Sequence, residues 1–128
     1  MPHRVLIADP HQGMRAKIRS LFENAGWEVV GEAADGQDCV HKAIALGPDL
    51  VVMELTMPLR NGLDAAAEIR KSRPSTKLLM ISIHESDVIR EEVLQAGVDG
   101  FAPKSLSGAA LLAQARRLFD NLDAKNSG

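Results

Sequence analysis

Short, uninterrupted apolar runs, set apart by segments of helical pattern, leave this 128-residue chain very few folds. Val5-Leu6-Ile7-Ala8, Leu50-Val51-Val52-Met53 and Leu78-Leu79-Met80-Ile81 are apolar at every position. A strand wetted on one face would alternate apolar and polar side chains, so these runs read as strands covered on both faces. Between and after them, apolar residues recur at helical spacing: Met14, Ile18, Leu21, Phe22, Ala25; Val40, Ala43, Ile44, Leu46; Leu63, Ala66, Ala67, Ile69; Val88, Ile89, Val93, Leu94; Leu111, Leu112, Ala115, Leu118, Phe119, Leu122. Gly26, Gly47-Pro48, Pro74 and Gly97 close the first four of these helices. Two shorter strands are expected at 27–31 and 98–102, with a turn at 33–36. Five strands alternating with five helices imply an α/β protein: a parallel sheet with right-handed crossovers on both faces.

The third strand delivers an acid to the site edge of such a fold. Asp49-Leu50-Val51-Val52-Met53-Glu54-Leu55-Thr56-Met57-Pro58 is an apolar run ending in Glu54, followed by a proline turn. Open α/β sheets place their sites beyond the carboxyl ends of the strands. Asp9, Glu54, Ser82 and Lys104 end the first, third, fourth and fifth strands, so two acids, a hydroxyl and a lysine converge on one edge.

Bulk properties exclude several alternatives. Lys and Arg number 15 against 17 Asp and Glu, a net charge of −2, so no overall basic field favours nucleic acid. Arg116-Arg117 is too small a basic patch, and no helix carries a basic reading face. A single cysteine, Cys39, excludes an internal disulfide framework and fits a reducing, cytoplasmic compartment; its own role is that of a small buried apolar residue on a helix. No apolar run is long enough for a membrane span, and the N-terminus is not a signal peptide. There is no G-x-G-x-x-G after the first strand and no P-loop, which argues against a nucleotide enzyme on the same fold.

The chain resembles the receiver domain of bacterial two-component response regulators over about residues 4–122. Val5 to Asp9 with His11, Pro48 to Met53, Leu55-Thr56-Met57-Pro58, Asn61-Gly62-Leu63, Ser82-Ile83-His84, and Ala96 to Phe101 with Lys104 carry the resemblance. The segment from Trp27 to Ala33, with Asp35-Gly36, is most similar to receivers of the NarL/LuxR-type subgroup. The resemblance implies a flavodoxin-like doubly wound (βα)5 fold with a five-stranded parallel sheet of order 2-1-3-4-5. It also implies a receiver domain over 1–124 and a polar tail or linker start over 125–128, which has nothing to pack and should fray. In that family a strand-three aspartate accepts a phosphoryl group, with Mg²⁺ held by that residue and by acids ending strand one. A strand-four hydroxyl donates to the phosphoryl group, a strand-five lysine pairs with its charge, and an aromatic three residues before that lysine repacks. Ser82, Lys104 and Phe101 occupy those last positions here.

Two positions depart from the family pattern. Glu54 stands where the aspartate would be, and Pro10 stands in the slot of the direct metal ligand. Proline has no side-chain oxygen to coordinate a metal. Glutamate carries its carboxylate further into the pocket by one methylene, on the order of an ångström, and phosphoryl transfer depends on positioning. The site therefore reads as degenerate for aspartyl-type phosphorylation. Mg²⁺, if held by Asp9, Glu54 and a carbonyl near Thr56, would be weak at best, and no cofactor is required. Three alternatives stand open. Glu54 pairs permanently with Lys104 and imitates part of the phosphorylated state; the pocket has simply lost its chemistry; or Glu54 still accepts phosphate.

The resemblance implies no enzyme activity beyond self-phosphorylation, a sensor histidine kinase upstream, and output through surfaces. Those surfaces are helix four with strand five and helix five, or helices one and five, either of which could form a homodimer. Val88, Ile89, Val93 and Leu94 put more apolar residues on helix four than one buried stripe needs. The output is either transcriptional, through a following helix-turn-helix domain, or that of a stand-alone adaptor. His11 and His84 are expected as solvated loop residues, His3 as an ordinary N-terminal residue, and His41 on an exposed helix face. Asp35, Asp38, Glu91 and Glu92 belong to solvated turns and helix faces.

Overall fold

The computed structural model describes residues 3–84 and 86–127, the last seven as helical backbone only. Five strands and five helices alternate: β1 (Arg4–Ala8), α1 (Gln12–Asn24), β2 (Glu28–Ala33), α2 (Gly36–Leu46), β3 (Leu50–Glu54), α3 (Gly62–Ser72), β4 (Lys77–Ser82), α4 (Asp87–Gln95), β5 (Gly100–Pro103) and α5 (Gly108–Ser127). The strands form one parallel sheet in the order β2-β1-β3-β4-β5. This is the flavodoxin-like topology that the family resemblance implied.

The apolar runs behave as their composition requires. All five residues of β3 are buried, because the strand lies mid-sheet with a helix layer on each side. Alternate side chains feed two cores. Leu6, Val51, Met53, Leu78 and Met80 pack toward α2, α3 and α4, whereas Val5, Ile7, Leu50, Val52, Leu79 and Ile81 pack toward α1 and α5. Each such aliphatic side chain contributes about 1.5–3 kcal/mol by leaving water, as an upper bound. Cys39 is fully buried in the first of these cores, as expected, and burial pushes its thiol up to about 12.

Each helix starts just beyond the carboxyl end of a strand on a side chain that caps it. His11 Nδ1, Asp35 Oδ1, Asn61 Oδ1, Ser86 Oγ and Ser107 Oγ accept the amide N–H groups of Met14, Asp38, Asp64, Ile89 and Ala110. These caps satisfy donors that the first helical turn leaves unpaired, and they pin the βα loops at the site edge of the sheet. His11 and Asp35, expected as solvated loop or turn residues, are thus structural as well as solvent-facing.

Several local expectations are corrected. β2 runs two residues further than expected, to Ala33, whose carbonyl accepts the Asp9 N–H at 3.0 Å. Trp27 stays outside the strand because its indole packs edge-on to Phe22 and Phe119. β5 begins at Gly100 and continues through Pro103. In α3 it is Ala65 that is buried, and Ala67 faces solvent. In α4 only Val93 is fully buried; Val88 is 74% and Leu94 45% exposed, whereas Ile89 packs partly on the core. His3 is more than an ordinary terminal residue, since its ring stacks on Phe119 at 4.3 Å. The α5 backbone continues through 125–127, where a tail was expected; the side chain of Leu122 and the whole of Gly128 lie outside the described residues.

Two glycines hold the loops against β3. A Cβ on Gly36 would lie 1.7 Å from the Arg60 carbonyl oxygen, and one on Gly62 would lie 2.6 Å from that of Glu54. In both cases backbone would have to move, because the obstacle is main chain rather than a flexible side chain. Gly36→Ala and Gly62→Ala are each expected to cost on the order of 1–3 kcal/mol in urea unfolding, as overpacking does. Gly26→Ala, with open space around its Cβ, should lose only what its positive φ of 90° demands.

Candidate functional site

Asp9, Glu54, Ser82 and Lys104 meet at the carboxyl edge of the sheet because β1, β3, β4 and β5 are consecutive neighbours in it. Asp9 is fully buried and Glu54 is 5% exposed. Parallel ladders carry the geometry to the ends of the strands: Leu55 N–H donates to the Ile81 carbonyl at 3.0 Å, and Lys104 N–H to the Ser82 carbonyl at 2.8 Å. The lysine side chain is then brought back over the acids.

Lys104 Nζ lies 2.7 Å from Glu54 Oε1 and 2.8 Å from Asp9 Oδ2. The approach to Asp9 Oδ2 is close but poorly aligned for a hydrogen bond, so attraction there is chiefly between charges. The second oxygen of each acid accepts a backbone amide. Asp9 Oδ1 takes His11 N–H at 2.8 Å, and Glu54 Oε2 turns back onto Leu55 N–H at 2.6 Å. Two buried carboxylates thus share one ammonium and two amide donors, and these compensate the charge that burial would otherwise forbid. Burial alone would lower the Lys104 pKa, but the contacts with Asp9 and Glu54 outweigh it and hold the ammonium above its ordinary value.

The remaining predicted residues divide. Ser82 is buried, and its Oγ accepts His84 N–H at 3.0 Å. Phe101 is 5% exposed and packed in the core on the α4 side, with the Arg90 guanidinium 5.8 Å above its ring. Thr56 is exposed on the loop after β3 and is not among the ion-cluster contacts, and Pro10, next to Asp9 in sequence, is exposed. His84 and His41 are exposed, as expected. Sequence reasoning missed Arg15, whose guanidinium donates to the Asp9 carbonyl at 2.7 Å and pairs with Glu32. It also missed Arg90. Neither has a sequence signal beyond its helical position, because each acts on a residue from another element.

The donor set can be weighed against a divalent ion. Mg²⁺ requires a near-octahedral set of oxygens, usually one or two carboxylates with waters. Pro10 supplies no side-chain oxygen, and the carboxylates of Asp9 and Glu54 are bridged by Lys104, a cation of their own. Among the described residues no group of His, Cys, Asp and Glu has metal-binding spacing. The residues present do not fit a Mg²⁺ centre.

The family model described as the response regulator receiver domain matches residues 5–116. The chain is 39% identical over 104 residues to the chemotaxis protein CheY of Thermotoga maritima, covering 81% of this chain and 87% of that one. It is 38% identical over 116 residues to the response regulator GacA of Pseudomonas viridiflava, covering 90% of this chain but only 54% of GacA. The chain therefore spans nearly all of one relative and about half of the other. Among solved structures, a LuxR-family two-component response regulator from Aurantimonas sp. SI85-9A1 superposes with a TM-score of 0.89 at 29% identity, over 94% of this chain and 87% of that one.

Lys104→Met would leave two buried carboxylates without their cation, so it is expected to cost about 3–5 kcal/mol in urea unfolding at neutral pH. The folded-state pKa of Lys104 lies above its unfolded value, so its contribution is complete below the ordinary lysine range and is lost as pH rises through the raised value. The stability gap between parent and variant should therefore narrow at strongly alkaline pH.

Proposed function

The chain belongs to the response regulator receiver domain family, and from that premise we propose that it signals without ordinary aspartyl phosphorylation. The observation that carries this reading is the Lys104 bridge. The lysine that would pair with an incoming phosphoryl group already pairs, at 2.7 Å, with the carboxylate in the phosphoacceptor position. The other Glu54 oxygen accepts Leu55 N–H, so both oxygens already have a partner. Ser82 Oγ is engaged with the loop amide of His84. Phe101 is packed inside rather than facing solvent. The Lys104–Glu54 contact supports the permanent-pair alternative over a merely vacated pocket, and the inward Phe101 and the loop-bonded Ser82 add nothing to that support.

Receiver domains typically bind Mg²⁺ weakly at the phosphorylation site. Here the missing ligand at Pro10 and the bridged acids argue that even weak binding is lost, and no reaction is assigned to the site. Response regulators interact with sensor kinases. For this chain a kinase would act, if at all, by docking rather than by transfer. Output is assigned to the face of α4, β5 and α5, because Val88 and Leu94 are exposed there and Arg90 lies over Phe101. That output is either transcriptional, through a helix-turn-helix domain, or that of a stand-alone adaptor. This domain contacts no nucleic acid in either case, and no described helix is long and apolar enough to cross a membrane.

The parent and a Pro10→Asp, Glu54→Asp double variant should be incubated with acetyl phosphate and Mg²⁺ and weighed intact. The double variant is expected to gain one phosphoryl group and the parent none; a phosphorylated parent would reject the proposal. For the output face, Val88→Glu with Leu94→Glu should abolish self-association in sedimentation velocity without changing urea unfolding, whereas equal association of both proteins would rule that face out.

A further inference from the structure

A cavity of about 270 Å³ lies on the α1–α5 side of the sheet, away from the output face. Ile18 and Leu21 of α1 wall it on one side, and Leu106, just before α5, and Leu111 in its first turn wall it on the other. Lys104 forms part of the wall where the cavity approaches the ion cluster, and Lys17 is its other charged lining residue. No acid lines it. Lys17 is exposed and has no acidic partner within ion-pair distance among the described residues.

We propose that this cavity binds a small, flat apolar molecule bearing one carboxylate, with the apolar body between α1 and α5 and the acid at Lys17. The size argues for a fused-ring or indole-sized body, since a dry cavity of about 150 Å³ already accepts benzene. The chemistry of the walls argues for an apolar body: water between Leu21, Leu106 and Leu111 would find few hydrogen-bond partners. The charge argues for an anion, because the only ionic groups lining the space are two lysines and one of them is unpaired. Lys104 links this cavity to the site. Lys104 lines the space and its ammonium holds Glu54 and Asp9, so an occupant touches the same residue that fixes the ion cluster. The binding claim is independent of whether Glu54 can be phosphorylated. Such a ligand would give a receiver with a standing ion pair an input other than phosphate.

The test uses 1-naphthoate as probe and 1-naphthamide as its neutral isostere, titrated into the full chain and followed by amide chemical shifts. Saturable shifts centred on Leu21, Leu106 and Leu111 are expected with naphthoate. Lys17→Gln should weaken naphthoate binding by roughly fivefold, the scale of one partly exposed charge pair, and leave naphthamide unchanged. Leu106→Trp, which fills the space, should abolish both, with urea unfolding confirming that each variant folds. Three results would overturn the proposal: no saturable shift at millimolar probe, equal affinity of acid and amide in parent and Lys17→Gln, or shifts that follow protein concentration rather than probe. The last would mean that a second copy of the chain covers the cavity.

Discussion

One ammonium between two buried carboxylates organises the functional edge of this molecule. Lys104 reaches back from the end of β5 to Glu54 and Asp9, and it can do so only because β1, β3, β4 and β5 lie side by side in a parallel sheet. Replacing such a cluster by apolar residues can be neutral or stabilising, so its presence is weak evidence of a need for stability. Its value is positional: one acid too many is buried for the single lysine, and two backbone amides, those of His11 and Leu55, have to be in place to offset the excess. That requirement ties the β1–α1 and β3–α3 loops to one arrangement.

The extra methylene of Glu54 decides what the cluster can be. A carboxylate long enough to meet Lys104 at 2.7 Å leaves its second oxygen within reach of the next amide of its own strand, and the side chain closes on the backbone. Pro10 removes the competitor for these oxygens, because it offers nothing to a metal that would draw the acids away from the lysine. The two departures from the receiver pattern are therefore physically consistent with each other. A longer acid meets the lysine, and the residue after Asp9 has no side-chain oxygen to offer a metal.

Around this edge the protein separates its surfaces. On the α4 side, Phe101 is packed inside under Arg90, and the spare apolar residues Val88 and Leu94 face outward. On the α1–α5 side, apolar residues line a cavity and Lys17 stands at it alone. Lys104 and the β4–β5 ladder lie between these faces. The helix caps and the close approaches at Gly36 and Gly62 pack the connecting loops tightly.

Much of this was legible in the chain alone. Strands apolar at every position can only be central in a two-sided sheet, and a parallel sheet sends its strand ends to one edge. The α/β class and the convergence of Asp9, Glu54, Ser82 and Lys104 followed from residue order, and the strand order from the family resemblance. Pro10 and Glu54, the two positions read as departures from the family pattern, are likewise visible without coordinates. The phase of weakly apolar helices was not legible: Ala65 rather than Ala67 turns inward because packing against the neighbouring layer, not alanine's slight hydrophobicity, sets the rotation of α3. The reach of β2 to Ala33 was settled by its pairing with β1, and the helix-facing roles of His11, Arg15 and Arg90 by partners from other elements. Above all, the sequence determined that a longer acid faces a lysine, whereas only the tertiary structure decided that they touch. Contact depends on ångström-scale placement of two strand ends, and local sequence does not encode a distance between segments fifty residues apart.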